Sequence, residues 1–92
     1  MKVLHNKGEG MFYIEQDGEV VAELTYRLQG DGRLLADHTW VDESLEGQGI
    51  GKQLLDQAVA FAKEHKFKIV PLCPYVKHQF EKEPAKYADV AA

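Results

Sequence analysis

Between Glu46 and Lys52 the chain changes its hydrophobic rhythm, and this switch limits what it can fold into more than any other feature. Downstream, Ile50, Leu54, Leu55, Ala58, Val59 and Ala62 recur at helical spacing with polar residues between them. That pattern predicts one amphipathic helix from about Gly49 to His65. Upstream, β-rich runs are broken by turn residues instead. Gly47, Gly49 and Gly51 stand at the junction, where small residues let backbone N–H groups approach an anion and a helix N-terminus adds partial positive charge.

The upstream runs are Met11–Gln16, Glu19–Arg27 and Arg33–Val41. Asp17-Gly18 between the first two is a hairpin signal, because glycine accepts the positive φ of a tight turn. Gly30-Asp31-Gly32 separates the second from the third, so an antiparallel meander of at least three strands is expected. After the long helix, Lys68–Leu72 reads as a short buried strand in which Pro71 leaves at least one ladder bond unmade. A strand, helix, strand succession implies a right-handed parallel crossover. Tyr75, Val76, Gln79 and Phe80 then suggest a short helix, and Pro84 opens a last turn through Tyr87 and Val90. The fold class is α+β: a meander, one parallel β-α-β crossover and a short C-terminal helical segment.

With 92 residues, 45 % of them hydrophobic, the whole of 1–92 fits one domain with a single core. Cys73 is the one cysteine, so no intramolecular disulfide forms, and no Cys/His cluster has zinc-like spacing; no metal is expected. The N-terminal residues turn polar and glycine-rich before a signal-peptide core develops, and no long apolar run follows. The expectation is a soluble cytoplasmic protein with no membrane partner. A formal charge of −4 argues against general attraction to nucleic acid and tolerates a cationic partner.

Two nucleotide-binding motifs fail at the glycine turn. A P-loop ending at Lys52 would need glycine where Glu46 stands and Ser or Thr where Gln53 stands. A dinucleotide fingerprint starting at Gly47 would need glycine where Lys52 stands. What the segment resembles is the coenzyme A pyrophosphate loop of GNAT acetyltransferases, Arg/Gln-x-x-Gly-x-Gly/Ala. Gly49 and Gly51 take the glycine positions and Glu46 departs from the first. With His38-Thr39-Trp40-Val41, Val70-Pro71-Leu72-Cys73-Pro74-Tyr75-Val76 and Tyr87-Ala88-Asp89, the resemblance extends over approximately Phe12 to Val90. It is to the short, single-cysteine branch of the GNAT superfamily.

The resemblance implies that the strands ending near Val41 and Leu72 splay, that pantetheine enters between them, and that backbone groups around Trp40 and Val41 pair with its amides. Backbone N–H groups of Gly47, Gln48, Gly49, Ile50, Gly51 and Lys52 would hold the pyrophosphate. It implies acetyl-CoA as co-substrate and a primary amine, on a protein lysine or a small polyamine, as acceptor. The alternative is a coenzyme A or acyl-CoA binding module without turnover.

Three residues are candidates for the chemistry. Cys73 follows a strand and precedes a helix start, where thiolate is favoured, so it could take the acetyl group itself; a buried small hydrophobe is the other reading. His38 could serve as base or as a hydrogen-bonded sheet residue. Tyr75 could protonate the leaving sulfur or pack as an aromatic. Direct transfer and an acetyl-cysteine route both remain open. His5, His65 and His78 read as solvated surface, and Trp40, Phe12, Tyr13, Tyr26, Phe61 and Phe67 as core or sheet-face residues.

Overall fold

The computed structural model describes all of residues 1–92. Five strands, β1 (Leu4–Asn6), β2 (Met11–Gln16), β3 (Glu19–Gln29), β4 (Arg33–Val41) and β5 (Lys68–Pro71), form one sheet in sequence order. The first four run antiparallel and β5 is parallel to β4. Helix α1 (Ile50–His65) makes the crossover, and α2 (Pro74–Lys82) and α3 (Pro84–Tyr87) follow β5. The α+β architecture expected from the sequence is therefore the one observed, with one strand added. β1 pairs Leu4 with Tyr13 and Asn6 with Met11 at the edge of the meander.

Local chemistry explains the turns. Asp17 (φ 52°) and Gly18 (φ 81°) both take left-handed backbone, as a two-residue hairpin joining right-twisted strands requires. Helix α1 closes on left-handed Lys66, with Phe67 N–H donating to Ala62 O at 2.8 Å. All helices bury their apolar residues in a single cluster against one face of the sheet, where Phe12, Ile14, Leu24 and Leu34 meet Leu54, Leu55, Val76 and Tyr87. No helix is long and apolar enough to cross a membrane.

Two bulges decide which residues face that core, one in β3, where Val21 is extra between the partners of Ile14 and Glu15, and one in β4. Ala36 pairs with Tyr26 but His38 pairs with Thr25, so Asp37 is an extra residue in β4. Its carboxylate accepts from Thr25 Oγ1 at 2.6 Å and from Arg27 Nε at 3.2 Å. Before the bulge, Leu34 and Ala36 are buried; after it, Thr39 and Val41 lie opposite the buried Leu24 and Ala22. His38 and Trp40 are thereby turned to the other face.

Candidate cofactor cleft

β4 and β5 pair only as far as Ala36 and Pro71. Beyond that point Leu72 and Cys73 N–H both donate to Ala36 O, at 3.0 and 2.9 Å, and the chain turns into α2 while β4 continues alone to Val41. The strands thus form a fork. Asp42 N–H donates to Val21 O at 2.8 Å, and the alternation of an antiparallel ladder then spends the backbone groups of Trp40 and His38 on β3. Those of Thr39 and Val41 point into the fork.

A cleft of about 380 Å³ lies there on the helix side, lined by Thr39, Val41 and Leu45, by the turn at Glu46, Gly47 and Gly49, and by Ile50, Gly51 and Tyr75. Gly47 (φ 80°) and Gly49 (φ 71°) need left-handed backbone, and the space a side chain would occupy at either is open. No protein group accepts a hydrogen bond from the N–H of Gly47, Gln48, Gly49, Ile50, Gly51 or Lys52, and the first one used in the helix is Gln53, to Gly49 O at 3.1 Å. Gly49 has no capping side chain to satisfy them. Open space in front of unpaired donors at a helix N-terminus fits an anionic group such as a diphosphate.

The turn relies on its backbone for this. The Lys52 ammonium lies 3.7 Å from Glu83, which caps the end of α2, and Glu46 stands at the rim. Asp42, at the start of the loop, accepts from Ser44 N–H and Oγ, and these hydrogen bonds, the side-chain one first, hold its carboxyl below the ordinary range.

At the inner end, Cys73 is only 3 % exposed, and its thiol donates to Thr39 Oγ1 at 3.2 Å. It occupies the N-cap position of α2 without capping through its side chain. Tyr75, the second residue of α2, lies against Gly51; a methyl group there would stand 3.0 Å from Tyr75 Cζ. Burial chiefly, and then Tyr87, Asp56 and Cys73, push the Tyr75 phenol upward, so it stays protonated and can donate. Tyr87 Oη, fully buried, has no partner.

The sequence-derived candidates thus divide between two places. Val41, Gly47, Gly49, Ile50, Gly51 and Tyr75 line the cleft, with Gln48 and Lys52 contributing donors and Cys73 at its root. His38, its side chain 55 % exposed, and Trp40 lie on the opposite face, where His38 Nε2 is 3.6 Å from Glu23. Thr39 carries no signal of its own in the sequence, since its link to Cys73 spans 34 positions and has no local signature. His5, in contrast to its reading as solvated surface, stacks on Phe12 at 4.0 Å and hydrogen-bonds Tyr26 Oη.

Comparisons with known proteins agree with this geometry. The family model described as GCN5-related N-acetyl-transferase matches residues 11–90. A GCN5-like protein from Staphylococcus aureus, solved by NMR, is 38 % identical over 99 % of this chain and 87 % of its own, with a TM-score of 0.80. A ribosomal-protein-alanine N-acetyltransferase from Brucella melitensis is 26 % identical over 89 % of this chain and 59 % of its own, with a TM-score of 0.60. An acetyltransferase from Elizabethkingia anophelis, crystallised with acetyl-CoA bound, shares the fold at 22 % identity and a TM-score of 0.56, over 67 % of this chain and 42 % of its own. No curated protein matches. With the match spanning the forked sheet, the glycine turn and the cysteine segment alike, the chain belongs to the GCN5-related N-acetyltransferase family.

Proposed function

We propose that this protein binds acetyl-CoA in the cleft and transfers the acetyl group to a primary amine. The observation that carries the reading is the run of unpaired N–H groups from Gly47 to Lys52, set beside a fork with free strand edges. The turn donors suit the pyrophosphate, and the Thr39 and Val41 backbone groups suit amides of an extended chain lying in the fork. Acetyl-CoA supplies an acetyl group activated as a thioester.

The chain's own residues then have distinct tasks. The Tyr75 phenol, kept protonated by burial, can return a proton to a departing thiolate. His38 can accept the proton that an ammonium must lose before it attacks. For Cys73 two routes exist. It either packs against the reacting carbonyl, or its sulfur bonds to the acetyl carbon as the coenzyme sulfur leaves with the proton Cys73 gives up.

Cys73→Ser separates these routes, because serine fills nearly the same volume and can still donate to Thr39 Oγ1. If acetyl passes through the thiol, the variant binds coenzyme A normally, forms no acetylated protein intermediate and loses turnover by about 100-fold or more. Intact-protein mass spectrometry and a product assay with amine acceptors read both. Undiminished turnover would leave Cys73 a packing residue, and no turnover by the parent protein with any amine would remove the transferase reading.

A further inference from the structure

Tyr87 is 1 % exposed, yet its hydroxyl has no hydrogen-bond partner, the sole buried side-chain polar atom left in that state. Burying an unpartnered hydroxyl is unfavourable, and phenylalanine would fill the same ring site without it. Packing accounts for the ring, which stacks on Phe80 at 4.7 Å within the core cluster. It does not account for the oxygen.

Two ion pairs bracket this residue. Lys86 reaches from α3 to Asp56 on α1 at 3.8 Å, its ammonium 5.3 Å from the Tyr87 ring. One turn earlier on α1, Lys52 lies 3.7 Å from Glu83. Burial first, then Asp56 and Glu83 against an opposing Lys52, hold the Tyr87 phenol protonated. The Tyr75 phenol comes to the same stretch of α1 from α2, its Oη 3.1 Å from where a Gly51 methyl would stand. Tyr75 is held up by burial, then by Tyr87, Asp56 and Cys73. A charge on Tyr87 thus opposes one on Tyr75, so only one of the two phenols ionises. That one is Tyr75, half-buried beside the cleft, whereas Tyr87 is sealed in the core.

We propose that Tyr87 is a positioning residue whose Oη–H donates to the Tyr75 oxygen once that oxygen has given up its proton. The inference rests on the reading of Tyr75 as the acid of acetyl transfer and deepens it. When the acetyl carbon parts from the coenzyme sulfur, the electron pair of the C–S bond stays on sulfur. The Tyr75 proton goes to that sulfur, and the negative charge moves to the Tyr75 oxygen. A neutral donor already stripped of water needs no reorganisation, and its hydrogen bond is made only as the charge arrives. An unpartnered hydroxyl in the resting fold is the form such a donor takes before reaction.

Tyr87→Phe removes the one oxygen and keeps the stacked ring. Parent and variant are labelled with ring-fluorinated tyrosine, which acidifies the phenols and gives each a fluorine NMR signal. The Tyr75 signal, assigned through Tyr75→Phe, is titrated with and without coenzyme A. Loss of the donor should move the Tyr75 titration up by about one pH unit. In unlabelled protein, kcat with an amine acceptor should fall about 10-fold at unchanged KM for acetyl-CoA. Stability in urea should hold or rise, because the resting fold loses no hydrogen bond. In a Tyr75→Phe background, Tyr87→Phe should cost nothing further in kcat. An unmoved Tyr75 titration, a second loss on top of Tyr75→Phe, or a variant that is less stable or unfolded would each overturn the assignment. A parent that acetylates amines but shows no titration shift on Tyr87→Phe sinks this inference alone. A shift in a parent that acetylates no amine leaves the Tyr87 donor standing and sinks the transfer reading instead.

Discussion

Gly49 and Gly51 stand two residues apart in one turn, yet a methyl group added to each meets different physics. At Gly49 the backbone is left-handed and the space is open, so Gly49→Ala should cost about 1–2 kcal/mol of stability, read by urea denaturation, without displacing any neighbour. At Gly51 the methyl would press on the Tyr75 ring. Alanine's better helix propensity, worth about 1 kcal/mol, offsets part of that crowding, so stability should change little. Turnover should fall by at least about 10-fold as the phenol shifts. Wild-type turnover in Gly51→Ala would deny Tyr75 its role as acid. These glycines are legible in sequence because the break in periodicity marks a helix start. The hydrogen bond from Cys73 to Thr39 is not, since a contact between distant segments leaves no local pattern.

At the scale of elements, the three long strands, α1 and α2 are readable because each repeats its period, and β5 because a short apolar run stands between the helix and Cys73-Pro74. β1 is not. Leu4-His5-Asn6 is too short to alternate, and it is held by long-range contacts: the His5 hydrogen bond to Tyr26 and a ring cluster in which Phe61 lies 4.7 Å from His5 and 4.7 Å from His65. The bulges are equally silent, because an extra residue is defined only against its partner strand. The Asp37 bulge is what separates His38 from Cys73. Burial, and then the charges of Lys7 and His65, hold the His5 imidazole below its ordinary range. The folded protein therefore favours neutral His5, and its contribution is complete above the unfolded-state value of about 6.5 and lost as pH falls from there toward the folded value. Amide-exchange protection factors in β1 should fall from about pH 7.5 to about pH 5.5 more than those in β3, and His5→Phe should remove the difference. Gly10→Ala attacks the same edge by another route: φ is 70° and the added carbon would overlap the Tyr26 carbonyl oxygen. A loss of about 2–5 kcal/mol is expected in chemical denaturation.

For the molecule as a whole, the cleft joins parts that are otherwise loosely tied. α1 contributes the turn, and α2 contributes Tyr75 while meeting α1 through Lys52 and Glu83. A ligand spanning them should stabilise the entire fold. At about 100 times its Kd, coenzyme A adds about 2.7 kcal/mol, which for a domain of this size raises Tm on the order of 10–20 °C. Scanning fluorimetry tests this, and an unmoved Tm at saturating coenzyme A would leave the cleft without its proposed ligand. The principal extents are 37 × 30 × 19 Å, a slab of one sheet layer and one helix layer. That thinness bears on which amines could reach an acetyl group held in the fork. A deep funnel admits only residues on loose tails that can be threaded into it. An opening through a slab this thin lies within a side chain's reach of the surface, so an amine carried on a rigid scaffold could enter it as readily as one on a loose chain.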